Sequence, residues 1–203
     1  MFNFFGSLTV IVVTLAALYA CNNNCRIRKN CCFTKTCHHA QTYNNGKSGS
    51  FHGRTALNGS SHDNLSINGS GNLSNVTVTG SLSSNGSLKL SESTIESLTS
   101  NGGTNLQNTI VNGPCTVRGS LYVDSSTLST ISVSSTNITF YNSKTKSIRV
   151  ENTSRTIEHI VDLNNTTIDG DIVFESGNGK VLLKGDSKIT GEVLGGQVVE
   201  SSR

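Results

Sequence analysis

The 203 residues leave room for one domain and a tail, and only 14% are charged, so a surface dominated by Ser, Thr, Asn and Gly is expected to be neutral and hydroxyl-rich. Much of the small net charge of +3 traces to Arg26, Arg28, Lys29, Lys35 and Lys47, all in the N-terminal quarter. With aromatics at 5% and Trp absent, the rest of the chain lacks the basic, base-stacking surface that nucleic-acid binding needs, and that class of partner is excluded.

Residues 1–20 contain no charged side chain, and Leu8 to Ala20 is a 13-residue run interrupted only by Thr9 and Thr14. That length suits the apolar region of a signal peptide, while Phe2 to Ala20 is just long enough to cross a bilayer. The run ends Leu18-Tyr19-Ala20-Cys21, which resembles a bacterial lipobox, and the resemblance implies cleavage before Cys21 and lipid on its thiol. Arg26, Arg28 and Lys29 leave a second reading open: an uncleaved inner-membrane anchor whose positive flank holds the body in the cytoplasm.

Residues 21–58 show no apolar periodicity and read as a disordered polar tether. Cys25, Cys31, Cys32 and Cys37 lie within it, followed by His38 and His39. No Cys-x2-Cys pair is present, and adjacent cysteines chelate one ion awkwardly, so no metal site is expected. In an exported chain the four thiols can form two disulfides in any of three connectivities.

Residues 59–203 carry the organising pattern. A shift of 33 residues lays Asn68, Gly69, Asn72, Leu73, Asn75 and Gly80 on Asn101, Gly102, Asn105, Leu106, Asn108 and Gly113. Gly69, Gly86, Gly102 and Gly119 halve that unit with steps of 17, 16 and 17. The same stride joins Leu73, Leu90, Leu106, Val123, Phe140, Ile157 and Phe174 in one apolar column. Leu65, Leu82, Leu98, Cys115, Ile131 and Ile148 form a second, and Val78, Ile95, Val111 and Leu128 a shorter third. Around them apolar residues alternate with polar ones, as in Leu88-Lys89-Leu90, and period two means strands. The expected fold is all-β: a single-stranded parallel β-helix with coils of 16–17 residues, preceded by the signal or anchor helix and the tether. The glycines mark a corner repeated once per coil.

Beyond Phe140 the stride loosens, and Thr156 to Leu163 is expected as a strand. Ile168-Asp-Gly-Asp-Ile172 is echoed 21 residues later by Ile189-Thr-Gly-Glu-Val193. These Ile-x-Gly-x-Ile/Val units, with Gly-Ser-Leu at Gly80, Gly86 and Gly119, resemble the bactofilins, bacterial polymer-forming cytoskeletal proteins. The resemblance implies a small right-handed β-helix that stacks end to end into filaments, often at a membrane and without nucleotide.

The function expected from these features is structural and non-enzymatic: a membrane-tethered scaffold of the bacterial cell envelope, periplasmic or outer-membrane, with copies of itself as partner and no cofactor. A surface-displayed adhesin or carbohydrate-binding module is the alternative, because ladders of Ser, Thr and Asn present a broad polar face. A polysaccharide-active enzyme needs converging carboxylates, for which Asp169, Asp171 and Glu175 are the candidates. They read more simply as solubilising charge on an outer face.

Overall fold

The computed structural model describes residues 46–152 and 157–200, and within them the chain is a parallel β-solenoid of twenty strands. Every strand pairing is parallel, and each strand between the first and last coils bonds to the strands one coil before and one coil after it. A coil has three straight segments, so three ladders run along the solenoid. The second ladder can be followed from Thr55 through Gly71, Leu88, Thr104, Leu121, Ile138, Val161, Val181 and Val198, one inward position in each of nine coils.

Inward residues of all three ladders form one core. Leu65, Leu82, Leu98, Cys115, Ile131 and Ile148 stack in register on the first ladder and continue through Ile172 to Val193. On the third ladder Val78, Ile95, Val111 and Leu128 stack in the same way and are followed by Thr145 and Ile168. On the second, Leu73, Leu90, Leu106, Val123 and Phe140 pair consecutively, all of them buried. Each inward side chain therefore meets its equivalents 4.7–4.9 Å above and below, the usual spacing between strands.

Two expected members of that last column lie elsewhere. Leu163, not Ile157, stacks on Phe140, and Ile157 is 48% exposed. Phe174 stacks on Val150 in the neighbouring column of the first ladder. One cause explains both. The coil that includes residues 151–158 is longer, so register steps of 16 or 17 become 23 from Phe140 to Leu163 and 24 from Val150 to Phe174. A constant stride then lands on the wrong residue.

The start also differs from expectation. The solenoid does not begin at residue 59: strand Gly49–Asn58 pairs along its whole length with Leu65–Ser74, so residues 49–58, expected in the tether, are the first coil. Its inward positions include Thr55 beside Leu57, and a buried Thr conceals the alternation that apolar residues would reveal. The apolar run at 1–20 and tether residues 21–45, with Cys21, Cys25, Cys31, Cys32 and Cys37, lie outside the described residues.

Two kinds of corner turn the coil. At the first, Gly69, Gly86, Gly102 and Gly119 have φ between +133° and +143°, and a Cβ on any of them would overlap the carbonyl oxygen of the glycine one coil earlier. Glycine is required both for the dihedral and for the close stacking. At the second, residues with φ near +50° recur at Asn75, Glu92, Asn108, Ser125, Asn142 and Asn165. The residue after each points inward, and from Ser93 onward it is Ser or Thr: Ser93, Thr109, Ser126, Ser143 and Thr166, all buried.

These hydroxyls do two tasks. Each donates to the carbonyl two residues back, as Ser126 Oγ does to Asp124 at 2.7 Å, and Ser93, Ser126, Ser143 and Thr166 also accept an N–H from one coil earlier, as Ser126 Oγ does from Thr109 at 3.0 Å. Ser143 and Thr166 repeat the pattern, so buried backbone groups that the turn would orphan are satisfied by a ladder of hydroxyls.

Candidate functional site

The C-terminal coil is where this core meets solvent. From Gly185 to Glu200 every residue is exposed or half-buried, although the inward alternation continues. Leu194 and Val198 are each 46% exposed and Val199 37%. Leu183, Lys188, Ile189, Val193, Gly196 and Val198 line a hollow of about 510 Å³ that opens at this end. Leu183, Ile189 and Val193 also pack on the core, so the hollow exposes the cut end of the three columns.

Backbone groups are open there too. Strand Gly196–Glu200 pairs with Gly179–Lys184 on one side, and among the described residues it has no strand partner on the other. At the opposite end Gly49–Asn58 is likewise paired only with Leu65–Ser74. Such edges are templates for further parallel pairing, and no helix covers either one among the described residues.

The two ends differ in charge. Residues 46–64 carry Lys47 and Arg54 against Asp63, a net +1, whereas residues 185–200 carry Asp186, Glu192 and Glu200 against Lys188, a net −2. Continuing the observed register past the C-terminal edge would set Thr55 of a following copy on Val198 and its Gly49 on Val193. The backbone ladder would then run on across the junction, with Leu57 of the following copy set on Glu200 in the column that Leu163 and Leu183 continue.

The carboxylates considered for hydrolysis have other occupations. Asp169 pairs with Lys144 at 2.9 Å, Glu175 pairs with Arg149 at 2.9 Å and accepts from the Asn152 N–H, and Asp171 accepts the Glu192 N–H at 2.8 Å. These are exposed pairs, each contributing ~1 kcal/mol or less. They tie neighbouring coils together beside the longer turn.

Glu151 joins the same face. Hydrogen bonds from Ser134 and Ser132 hold its carboxyl below the usual range, helped by the positive charges of Arg118 and Arg149. No group of three His, Cys, Asp or Glu close enough to hold a metal ion occurs among the described residues.

Cys115 faces inward on the first ladder between Leu98 and Ile131, and burial pushes its thiol up to about 12. It is buried among apolar neighbours and protonated at neutral pH, so it has no nucleophilic role. At pH 8 iodoacetamide is expected to leave Cys115 unmodified in the folded chain and to label it fully in 6 M guanidinium, scored by peptide mass. Rapid native labelling would remove it from the core.

Periodicity did not reveal the paired tyrosines on the outer face. Tyr122 and Tyr141 sit on adjacent coils of the second ladder with ring centroids 5.7 Å apart and planes inclined by 39°. Their signal was nonetheless present, because each lies next to a column residue, Val123 and Phe140, and must point outward.

Comparison with protein-family models, with curated proteins and with solved structures finds no match for this chain.

Proposed function

We propose that this chain is a non-enzymatic structural protein of the bacterial cell envelope, tethered to a membrane through its N-terminus and assembling end to end through its solenoid. The apolar, edge-exposing C-terminal coil carries the proposal. A solenoid that ends in an open core and an unpaired strand is complementary to the start of its own copy, and the opposite charge of the two ends favours that pairing over end-to-like-end contact. Head-to-tail contacts of this kind are heterologous and do not close, so they give filaments. The bactofilin-like Ile-x-Gly-x-Ile/Val units and the lipobox-like Cys21 support the same reading: a polymer held at a membrane surface by lipid or by an uncleaved anchor.

The test is sedimentation velocity with electron microscopy of the purified protein over a hundredfold range of concentration. Wild type is expected to form concentration-dependent species and filaments one solenoid wide. Val198→Asp, which places a charge on the half-exposed last inward position of the second ladder, above Val181, is expected to stay monomeric with an unchanged far-ultraviolet spectrum. Monomers of wild type at every concentration would remove the mechanism.

A further inference from the structure

Among the described residues, Tyr122 and Tyr141 are the only tyrosines, and the phenylalanines, Phe51, Phe140 and Phe174, belong to the core or pack against it. Away from the C-terminal coil the outer surface is mostly Ser, Thr, Asn, Gly and scattered charge, with Ile110 and Ile157 as isolated exposed apolar residues, so two aromatic rings in contact on it are out of keeping with their surroundings. Tyrosine offers a large, rigid contact area at low entropic cost, and the two half-buried rings present it side by side on the outer face.

The register defines their neighbourhood. Asn105, Tyr122, Thr139 and Asp162 occupy one outward column on four successive coils, and Gln107, Asp124, Tyr141 and Asn164 occupy the next. The strip is therefore a flat, two-column array of amides, carboxylates and a hydroxyl around two rings. Three inter-strand steps of about 4.8 Å give it a length of roughly 14 Å.

Hydrogen bonding in the strip is unbalanced. Asn105 Oδ1 and Asp162 Oδ1, on either side of Tyr122 and Thr139 in the same column, are shielded from solvent and accept no hydrogen bond. Lys184 holds the other Asp162 oxygen at 2.6 Å and so fixes the carboxylate. A shielded acceptor without a donor costs free energy, and a ligand that supplies donors recovers it. The outer side chains over these oxygens must turn aside for a ligand to reach them, which half-exposed surface groups can do.

The ligand that fits carries hydroxyl donors at its edges and apolar C–H faces to lie on tyrosine rings, and it is uncharged. Lys89 and Lys184 continue the two columns at opposite ends and offset Asp124 and Asp162 within them, so the strip carries no net charge and favours a neutral ligand over an anionic one. Those properties describe a neutral polysaccharide. An extended β-linked chain advances by about one strand spacing per sugar, so consecutive sugars match consecutive coils. We infer that the outward strip around Tyr122 and Tyr141 is a binding site for a neutral, β-linked glycan chain, the rings stacking on sugar faces and Asn105, Asp124 and Asp162 accepting from sugar hydroxyls.

The full-length protein lends itself to a direct test, because with no Trp its intrinsic emission comes from four tyrosines, two of them in the strip. Titration with cellohexaose, chitohexaose and maltohexaose, followed by tyrosine emission and by the ring proton shifts of Tyr122 and Tyr141, is expected to show saturable binding of at least one β-linked hexaose and shifts at both rings. Tyr122→Ala and Tyr141→Ala are each expected to weaken it at least tenfold, while Thr99→Ala, outward on a different ladder, leaves it unchanged. Because the ring shifts are read on the unmutated protein, poor folding of a variant does not blunt the test. Failure of both β-linked hexaoses to bind, whether or not maltohexaose does, binding that leaves both rings unshifted, or binding indifferent to both alanine variants would overturn the assignment.

Discussion

Leu106→Asp abolishes cooperative unfolding of the solenoid, whereas Thr77→Asp leaves it within about 0.5 kcal/mol of wild type. Leu106 is fully buried between Leu90 and Val123, and no cation lies in its column to pair with a carboxylate. An aspartate there either ionises inside an apolar stack or is protonated at a large cost, and it also leaves a void where the leucine filled space. The loss exceeds about 4 kcal/mol, enough to consume much of the 5–15 kcal/mol that holds a typical domain together. Thr77 is outward on the third ladder and exposed, so its substitution meets only water. Urea unfolding followed by circular dichroism separates the two, and equal midpoints would mean that the columns do not carry the stability.

Gly102→Ala is the second large effect, although it adds a single carbon. At φ +143° an L-residue is strained in any surroundings, and here the new Cβ would overlap the carbonyl oxygen of Gly86 directly beneath it. Backbone above and below cannot yield, because Gly86 and Gly119 belong to the same stack. Strain in this region costs about 1–3 kcal/mol alone, and the clash adds to it. The neighbour provides the control: Gly103 has no positive φ, and a Cβ there meets only Ser120 Oγ at 3.2 Å, a side chain able to rotate. Gly103→Ala should therefore unfold close to the wild-type urea midpoint, with Gly102→Ala well below it. Equal midpoints would show that the glycine corner is dispensable.

How much of this was legible in advance follows from what each feature demands of a side chain. Columns demand apolar residues at a constant stride, and where coils are uniform, from Leu65 to Ile148, the stride locates them. The glycine corner demands one residue type and was equally plain. The stride fails at Ile157 because coil length is set by the turn, and a longer turn erases the phase without disturbing the core. The first coil was hidden because a buried Thr55 satisfies the fold without looking apolar.

The second corner left a signal of another kind. Asn75, Asn108 and Asn142 recur at 33 and 34 residues, and Ser or Thr follows two of them, but this is a rule of hydrogen bonding and dihedral, invisible to a search for hydrophobicity. The tyrosine strip was legible only by reading the outward positions as columns in their own right. The proposed end-to-end assembly and membrane attachment rest on surfaces and on a terminus about which the inward pattern is silent.

The longer turn between Val150 and His159 shows how the molecule can change without refolding. Core stacking continues across it, from Ile148 to Ile172 and from Phe140 to Leu163, and the described residues of the turn, Glu151, Asn152, Ile157 and Glu158, are exposed or half-buried. Sequence there is released from the rule that each residue must match its equivalent one coil away. The rod thus contains a graft point: a place on its flank where a peptide epitope or small domain can be spliced in, with the growth of the coil on either side left as it was.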